Sequence, residues 1–241
     1  MSERIEQIIS SPYKLDEVEQ ETQNVKMFRF SPTNDQEVAF EPGMFFMIEY
    51  RDNDGSKIKR AYSVASAPGS KILEFYIGMV GGKLTSKLDS AKKGDLYYIS
   101  GPYGKFKFSQ SENKKSLFIA AGTGISPFMS MLRGIEGNGL DEDVVMLYSV
   151  KTTNGIIKRD ELNSIKSRTK LKTIITLTKP EQNDVWQGYT GRITKELIEK
   201  EVEDIGERTC YLCGSNEFTK AMTDYLLVLG VKKENIKKDV W

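Results

Sequence analysis

At 241 residues the chain has room for one large domain or two of ordinary size, each with a substantial core. With 39% hydrophobic and 29% charged residues, and 35 basic against 34 acidic side chains for a formal charge of +1, neither disorder nor a bulk electrostatic pull towards nucleic acid is expected. Histidine is absent, which removes the commonest general base, the Ser-His and Cys-His nucleophile pairs and most metal sites, so enzymatic chemistry would rest on a bound organic cofactor.

Residues 1–11 carry Glu3, Arg4 and Glu6 and no apolar run, unlike a secretion signal. Residues 25–30 alternate apolar and polar, and 44–50, 71–77 and 96–100 are short β-rich runs with turn signals at 32–35, 52–55 and 67–70 between them. Short strands with frequent turns predict a small antiparallel barrel, interrupted by one helix near 85–91. From 116–121, a continuous apolar run of the kind buried on both faces of a parallel sheet, the period changes. A helix follows from Ser126 to about 135, and strands at 144–150, 171–177 and 209–213 alternate with helices near 159–165, 194–200 and 217–229. A last short strand runs towards Trp241. The prediction is a two-domain chain: an antiparallel β-barrel over 1–110, then an α/β domain with a doubly wound parallel sheet over 111–241, divided in the polar stretch 109–115. The most apolar stretch, 117–132, is broken by Gly122, Gly124 and Pro127, so membrane insertion is not expected. Cys210 and Cys213 cannot staple a fold of this size, and a reducing cytoplasm and a monomer are the expected setting.

Arg60-Ala61-Tyr62-Ser63 opens a predicted strand. Arg60 offers a planar fork for a phosphate, Tyr62 shares its strand face, and Ser63 offers a small donor on the other alternation. Alone, these residues are equally an edge strand with one exposed arginine. Gly81-Gly82-Lys83-Leu84-Thr85-Ser86 puts glycines and hydroxyls just before a helix: an anion site built on free backbone N–H groups, or an ordinary turn with a hydroxyl cap.

Taken in order, Arg60-Ala61-Tyr62-Ser63, Gly82-Lys83-Leu84-Thr85 and Gly101-Pro102-Tyr103-Gly104 resemble the flavin domain of the ferredoxin–NADP reductase family. The motifs from Ala121 through Gly122-Thr123-Gly124 to Pro127, and Cys213-Gly214-Ser215-Asn216-Glu217, resemble its nucleotide domain, and an aromatic Trp241 resembles the bacterial ferredoxin/flavodoxin reductase branch. The resemblance implies bound FAD, with Ala61 on the flavin-lining strand, Arg60 on the pyrophosphate, Tyr62 against the isoalloxazine and Ser63 near flavin N5. It further implies that Tyr76, Lys83, Leu84 and Thr85 line the ribityl and pyrophosphate, that Cys213 and Gly214 sit beside the nicotinamide, and that Trp241 stacks on the flavin as a gate.

Gly122-Thr123-Gly124 follows a predicted strand and precedes a helix, as a dinucleotide loop does, but Pro127 stands where the third fingerprint glycine would be. Proline fits the first helical turn, where its missing N–H costs nothing. The second strand of this half ends Tyr148-Ser149-Val150-Lys151 without a carboxylate, and the resemblance puts Lys179 and Arg192 near a 2′-phosphate, so NADP(H) is the expected nicotinamide. The two lysines are equally readable as solvated loop charges. Cys210 and Cys213 fall on one predicted buried strand, three apart and hence on opposite faces, so neither a metal nor a disulfide is expected.

These residues imply a flavoprotein oxidoreductase that exchanges a hydride with NADP(H) and passes single electrons to ferredoxin or flavodoxin. Arg51, Lys57, Lys59 and Lys105 either attract such an acidic partner or are a scattered surface. An NAD(P)H-dependent flavin reductase, the reductase of an oxygenase or hydrogenase complex, and a non-catalytic nucleotide-sensing subunit are the alternatives.

Overall fold

A computed structural model describes residues 10–34, 38–52, 54–110, 114–182 and 185–240. The first half forms an antiparallel sheet of β1 (Ser11–Thr22), β2 (Val25–Pro32), β3 (Phe45–Arg51), β4 (Lys57–Ser63), β5 (Leu73–Gly78) and β6 (Leu96–Tyr103), in the spatial order β4-β3-β6-β1-β2-β5. Helix α1 (Lys83–Asp89) lies between β5 and β6 in sequence and packs on β3 and β4. Alternate residues of these strands, among them Leu15, Phe30, Phe46, Phe75 and Tyr97, meet Leu84 and Leu88 of α1 in one core, so the sheet curls around its own apolar face.

Strand β1 is not signalled by its sequence. Its outward positions are Lys14, Asp16, Glu17 and Glu19, and a register shift between Leu15 and Glu17 breaks the alternation that would mark a half-buried strand. Helix α1 starts at Lys83, two residues before the predicted position. Gly82 is its cap through the backbone, and the Thr85 hydroxyl donates back to the Gly82 carbonyl at 3.0 Å instead of capping from outside.

The second half forms a parallel sheet of β7 (Lys115–Ala121), β8 (Asp143–Val150), β9 (Leu171–Leu177), β10 (Tyr189–Thr190), β11 (Thr209–Gly214) and β12 (Ile236–Val240), ordered β10-β9-β8-β7-β11-β12. Helices α2 (Ser126–Gly137), α3 (Arg159–Arg168), α4 (Lys195–Glu201) and α5 (Asn216–Val228) cover it. Residues of β7, β8 and β11 alternate between two cores: Phe118, Met146, Tyr148 and Cys213 on one face, Ile119, Leu147, Cys210 and Leu212 on the other. The chain is thus the predicted barrel followed by a doubly wound α/β unit. The strand order reverses between β7 and β11, where such sheets open a crevice at the carboxyl ends of their strands.

The first of these cores also contains Met27, Ala65 and Tyr76 from the barrel and Phe106 and Phe108 from the connection, so the two sheets share buried apolar surface. Strand β5 is the junction. Leu73, Phe75 and Ile77 face the barrel core, while Tyr76 joins the core of the nucleotide half. Among the described residues no helix is long and apolar enough to cross a membrane.

Candidate active site

A cavity of about 350 Å³ lies where the two sheets meet. Ala61, Tyr62 and Ser63 of β4, Tyr76 of β5 and Thr85 of α1 form its barrel side; Thr123, Ser126, Cys213, Asp239 and Val240 form the other. Strand β4 ends its sheet and pairs with β3 alone, which leaves its outer backbone edge open for a ligand to lie along. Burial pushes the Tyr62 hydroxyl up to about 12 despite the nearby Arg60 charge, and burial likewise raises that of Tyr76, so both rings are neutral walls. A wider depression of about 1020 Å³ is lined by Arg29, Glu74 and Arg133, but these groups bond one another and none of the predicted site residues faces it. The smaller cavity is the candidate site.

Next in β4 to the cavity-lining Ala61, Arg60 is exposed, donates to its neighbour's carbonyl (Lys59) at 2.8 Å and makes no ion pair with a described residue. Lys83 is also exposed, on the helix packed beside β4. The Leu84 side chain is 2% exposed and belongs to the barrel core, so only its backbone can reach a ligand. An exposed guanidinium, a lysine and the N–H groups of a first helical turn are groups that could hold a phosphate beside an aromatic-walled cleft. These features fit a flavin dinucleotide.

Across the cavity the two halves touch through a hydrogen bond. Ser63 Oγ donates to Asp239 Oδ2 at 2.9 Å across 176 positions of sequence, and Cys213 Sγ donates to the same oxygen at 4.0 Å. Asp239 stands opposite Cys213 in the parallel β11–β12 register. Burial raises the Asp239 pKa, against the lowering effect of the Ser63 hydroxyl and the Val240 backbone N–H. Sequence reasoning passed over this carboxylate, because only the register of β12 gives it meaning. Cys210 and Cys213 are buried on opposite faces of the sheet and not joined in a disulfide, and no group of metal-ligating side chains exists among the described residues.

The dinucleotide loop is a tight turn leading into α2. Gly122 has φ +53°, in the left-handed region, and a Cβ there would meet open space. Gly124 is required for a different reason: a Cβ would lie 2.4 Å from the Cys213 carbonyl oxygen. The Tyr148 hydroxyl donates to the Gly122 carbonyl at 3.0 Å, and Ser126 Oγ to that of Thr123 at 2.8 Å, which holds the loop open towards the crevice. A Cβ on Gly214 would meet the Phe218 ring at 2.7 Å, where α5 starts under its Ser215 cap.

Lys151, Lys179 and Arg192 come together at the carboxyl edge of the same sheet. The Lys179 N–H donates to the Lys151 carbonyl at 2.8 Å, and the Gly191 N–H donates to the Leu177 carbonyl at 2.8 Å, bringing three loops side by side. All three side chains are exposed, and none is ion-paired with a described residue. Arg192 also lines a second cavity of about 410 Å³ with Ser149, Thr178, Ser215, Glu217 and Tyr225. Trp241 lies outside the described residues; Val240, just before it, lines the active cavity. Lys105, Lys237 and Lys238 border a shallow hollow shared with Phe45 and Asp239, whereas Arg51 is held by Glu49 and stacked on Tyr98.

Comparison with known proteins divides the chain in the same way. Residues 12–108 match the family model of an oxidoreductase FAD-binding domain, and residues 118–224 that of an oxidoreductase NAD-binding domain. The glycine betaine monooxygenase reductase subunit of Pseudomonas aeruginosa is 30% identical over 212 residues, an alignment covering 86% of this chain and 57% of that protein, so the chain spans little more than half of that relative's length. The flavodoxin/ferredoxin–NADP reductase of Buchnera aphidicola is 29% identical, covering 83% of this chain and 82% of that one. Among solved structures, the FAD/NAD-binding domain of a Vibrio cholerae nitric oxide dioxygenase superposes with a TM-score of 0.87 at 21% identity, covering 96% of this chain and 98% of that one.

Proposed function

This chain belongs to the ferredoxin–NADP reductase family of FAD- and NAD(P)-binding oxidoreductases, and from that premise we propose that it is a cytoplasmic, monomeric reductase exchanging a hydride with NADP(H) and single electrons with ferredoxin or flavodoxin. The observation that carries this reading is the meeting of Ser63, Cys213 and Asp239 at one cavity between the FAD-type and NAD-type halves.

FAD, when bound, accepts the hydride pair and releases electrons one at a time. The protein does the rest. Arg60 and Lys83 would neutralise the pyrophosphate, with the first N–H groups of α1 donating to it, Ala61 and Tyr62 would lie along the flavin ring, and Tyr76 and Thr85 would line the ribityl and pyrophosphate. Gly122, Thr123 and Gly124 let the nicotinamide nucleotide approach the end of β7, while Cys213 and Gly214 bound the nicotinamide itself. Ser63 Oγ, which donates its hydrogen to Asp239, would turn its lone pairs to the reacting edge, where they can accept a hydrogen bond. Burial makes the Asp239 carboxyl, beside that hydroxyl, easier to protonate than an exposed one. Lys151, Lys179 and Arg192 receive the 2′-phosphate of NADP(H), with the rest of the adenosine in the cavity beside Ser215 and Tyr225. The lysines at 105, 237 and 238 supply the positive rim to which an acidic redox protein is steered.

A second reading is favoured by the Pseudomonas aeruginosa relative: electrons delivered to an oxygenase. Anaerobic stopped-flow mixing with NADPH and NADH in parallel, followed at the flavin absorbance band, tests the main reading. Faster bleaching by NADPH is expected; equal efficiency would remove the 2′-phosphate role of the basic residues, and no bleaching by either would refute the enzyme.

A further inference from the structure

Helix α2 carries the dinucleotide loop at its start and, two turns further on, an arginine with no part in the site described above. Every N–H of the Arg133 guanidinium is used. Nε donates to Glu161 Oε1 at 2.6 Å and Nη2 to Glu161 Oε2 at 2.8 Å, a fork on α3 of the nucleotide half. The remaining donors cross to the barrel: Nη1 to the Ala65 carbonyl at 2.7 Å and to Glu74 Oε1 at 2.8 Å, Nη2 to the Tyr76 hydroxyl at 3.2 Å. Tyr76 in turn donates to Glu74 Oε1 at 2.6 Å, and Arg29 donates to the other carboxylate oxygen at 2.8 Å. The network is enclosed, with the Glu74 and Arg133 side chains 6% and 15% exposed.

Two of its anchors belong to the cavity wall or adjoin it. The Tyr76 ring lines the cavity, and Ala65 stands two residues after Ser63. At the next position of α2, Gly134 approaches Pro68 so closely that a Cβ would lie 3.0 Å from its ring. The helix is therefore pressed onto the barrel at one end and carries Thr123 and Ser126 into the cavity at the other.

We infer that Arg133 is a positioning residue for hydride transfer: by joining Tyr76 and the Ala65 carbonyl to Glu161, it sets the distance between the flavin-lining strand and the nicotinamide-binding loop. This rests on the proposed hydride transfer and adds to it a residue that touches neither ligand. Misplacement of the nicotinamide relative to the flavin slows the reaction while the contacts that hold the adenosine and phosphates remain. Arg133→Lys keeps the charge but cannot make the fork and its three crossing bonds together.

The test compares wild type with Arg133→Lys and with Glu161→Gln, which weakens only the nucleotide-half anchor and carries the test if the lysine variant fails to fold. Three quantities are measured: NADP⁺ affinity by titration, the limiting rate of anaerobic bleaching by NADPH per bound flavin, and hydrogen–deuterium exchange of β5 and α3 in the FAD-free protein. The expected result is an affinity within about threefold of wild type, a limiting rate down by about tenfold or more, and faster exchange in β5. A limiting rate per bound flavin within about twofold of wild type, or a loss confined to affinity, would overturn the inference. If wild type itself is not bleached by NADPH or NADH, the functional reading fails instead. Unchanged β5 exchange in both variants would then still refute the clamp.

Discussion

Asp239 concentrates the conflict between stability and chemistry in this site. Its folded-state pKa is raised above the ordinary 3.8, chiefly by burial. Its contribution to stability is therefore fully present below that value and is lost as pH rises through the folded value. Asp239→Asn keeps the partner for Ser63 and removes the buried charge. The variant is expected to melt a few degrees above wild type at pH 8, with the gap closing towards pH 4, and to bleach about tenfold more slowly. A melting point equal to or below that of wild type at pH 8 would show that the carboxylate is stabilising as it stands. The two loop glycines separate in the same way. Gly124→Ala drives a methyl into the Cys213 carbonyl and should cost about 1–3 kcal/mol of stability. Gly122→Ala meets open space, so it is expected to cost about 1 kcal/mol through its left-handed φ and to weaken nicotinamide binding more than the fold. Melting curves and NADP⁺ titrations of both variants check the contrast; equal melting points would contradict it.

Elements explain why some of the site was legible in the sequence and some was not. The motif from Arg60 to Ser63 and the glycines at 122 and 124 are local, because a ligand-facing strand edge and a strand-to-helix turn need consecutive residues of particular shape. Asp239 and Arg133 are not local. Asp239 acquires its role from a parallel register with β11, and Arg133 resembles any other helix arginine until β5 is packed against it. Strand β1 was hidden by its charged outward face and its bulge, and the start of α1 by a glycine that caps through its backbone. The basic cluster belongs to this scale too, since Lys151, Lys179 and Arg192 lie on three separate connections that only the sheet edge brings together. Arg192→Ala is expected to weaken NADPH binding about tenfold and NADH binding by less than about twofold, as loss of one charged hydrogen bond to a phosphate predicts. Equal losses in parallel titrations would assign Arg192 to a part of the ligand that both nucleotides share.

At the scale of the whole molecule the two halves share one continuous apolar core. Met27, Ala65 and Tyr76 from the barrel are buried with Phe118, Phe128 and Tyr148 of the nucleotide half, and Arg133 and Lys158 add ion pairs across the same boundary, to Glu74 and Glu21. The change of period at residue 116 was enough to read a barrel followed by a doubly wound sheet, since alternation and continuous apolar runs are properties of each strand alone. The shared core was not readable, because Tyr76 and Phe118 signal burial without signalling against what. For the proposed hydride transfer, this shared core would let the nicotinamide present only one face to the flavin. Anaerobic single turnover with NADPH deuterated at one or the other C4 position, followed by the mass of the NADP⁺ formed, tests this directly. The expected result is complete loss of label from one isomer and complete retention in the other, with the flavin band bleached in both. Equal partial retention from the two isomers, or no bleaching at all, would contradict hydride transfer across a fixed cavity between the two sheets.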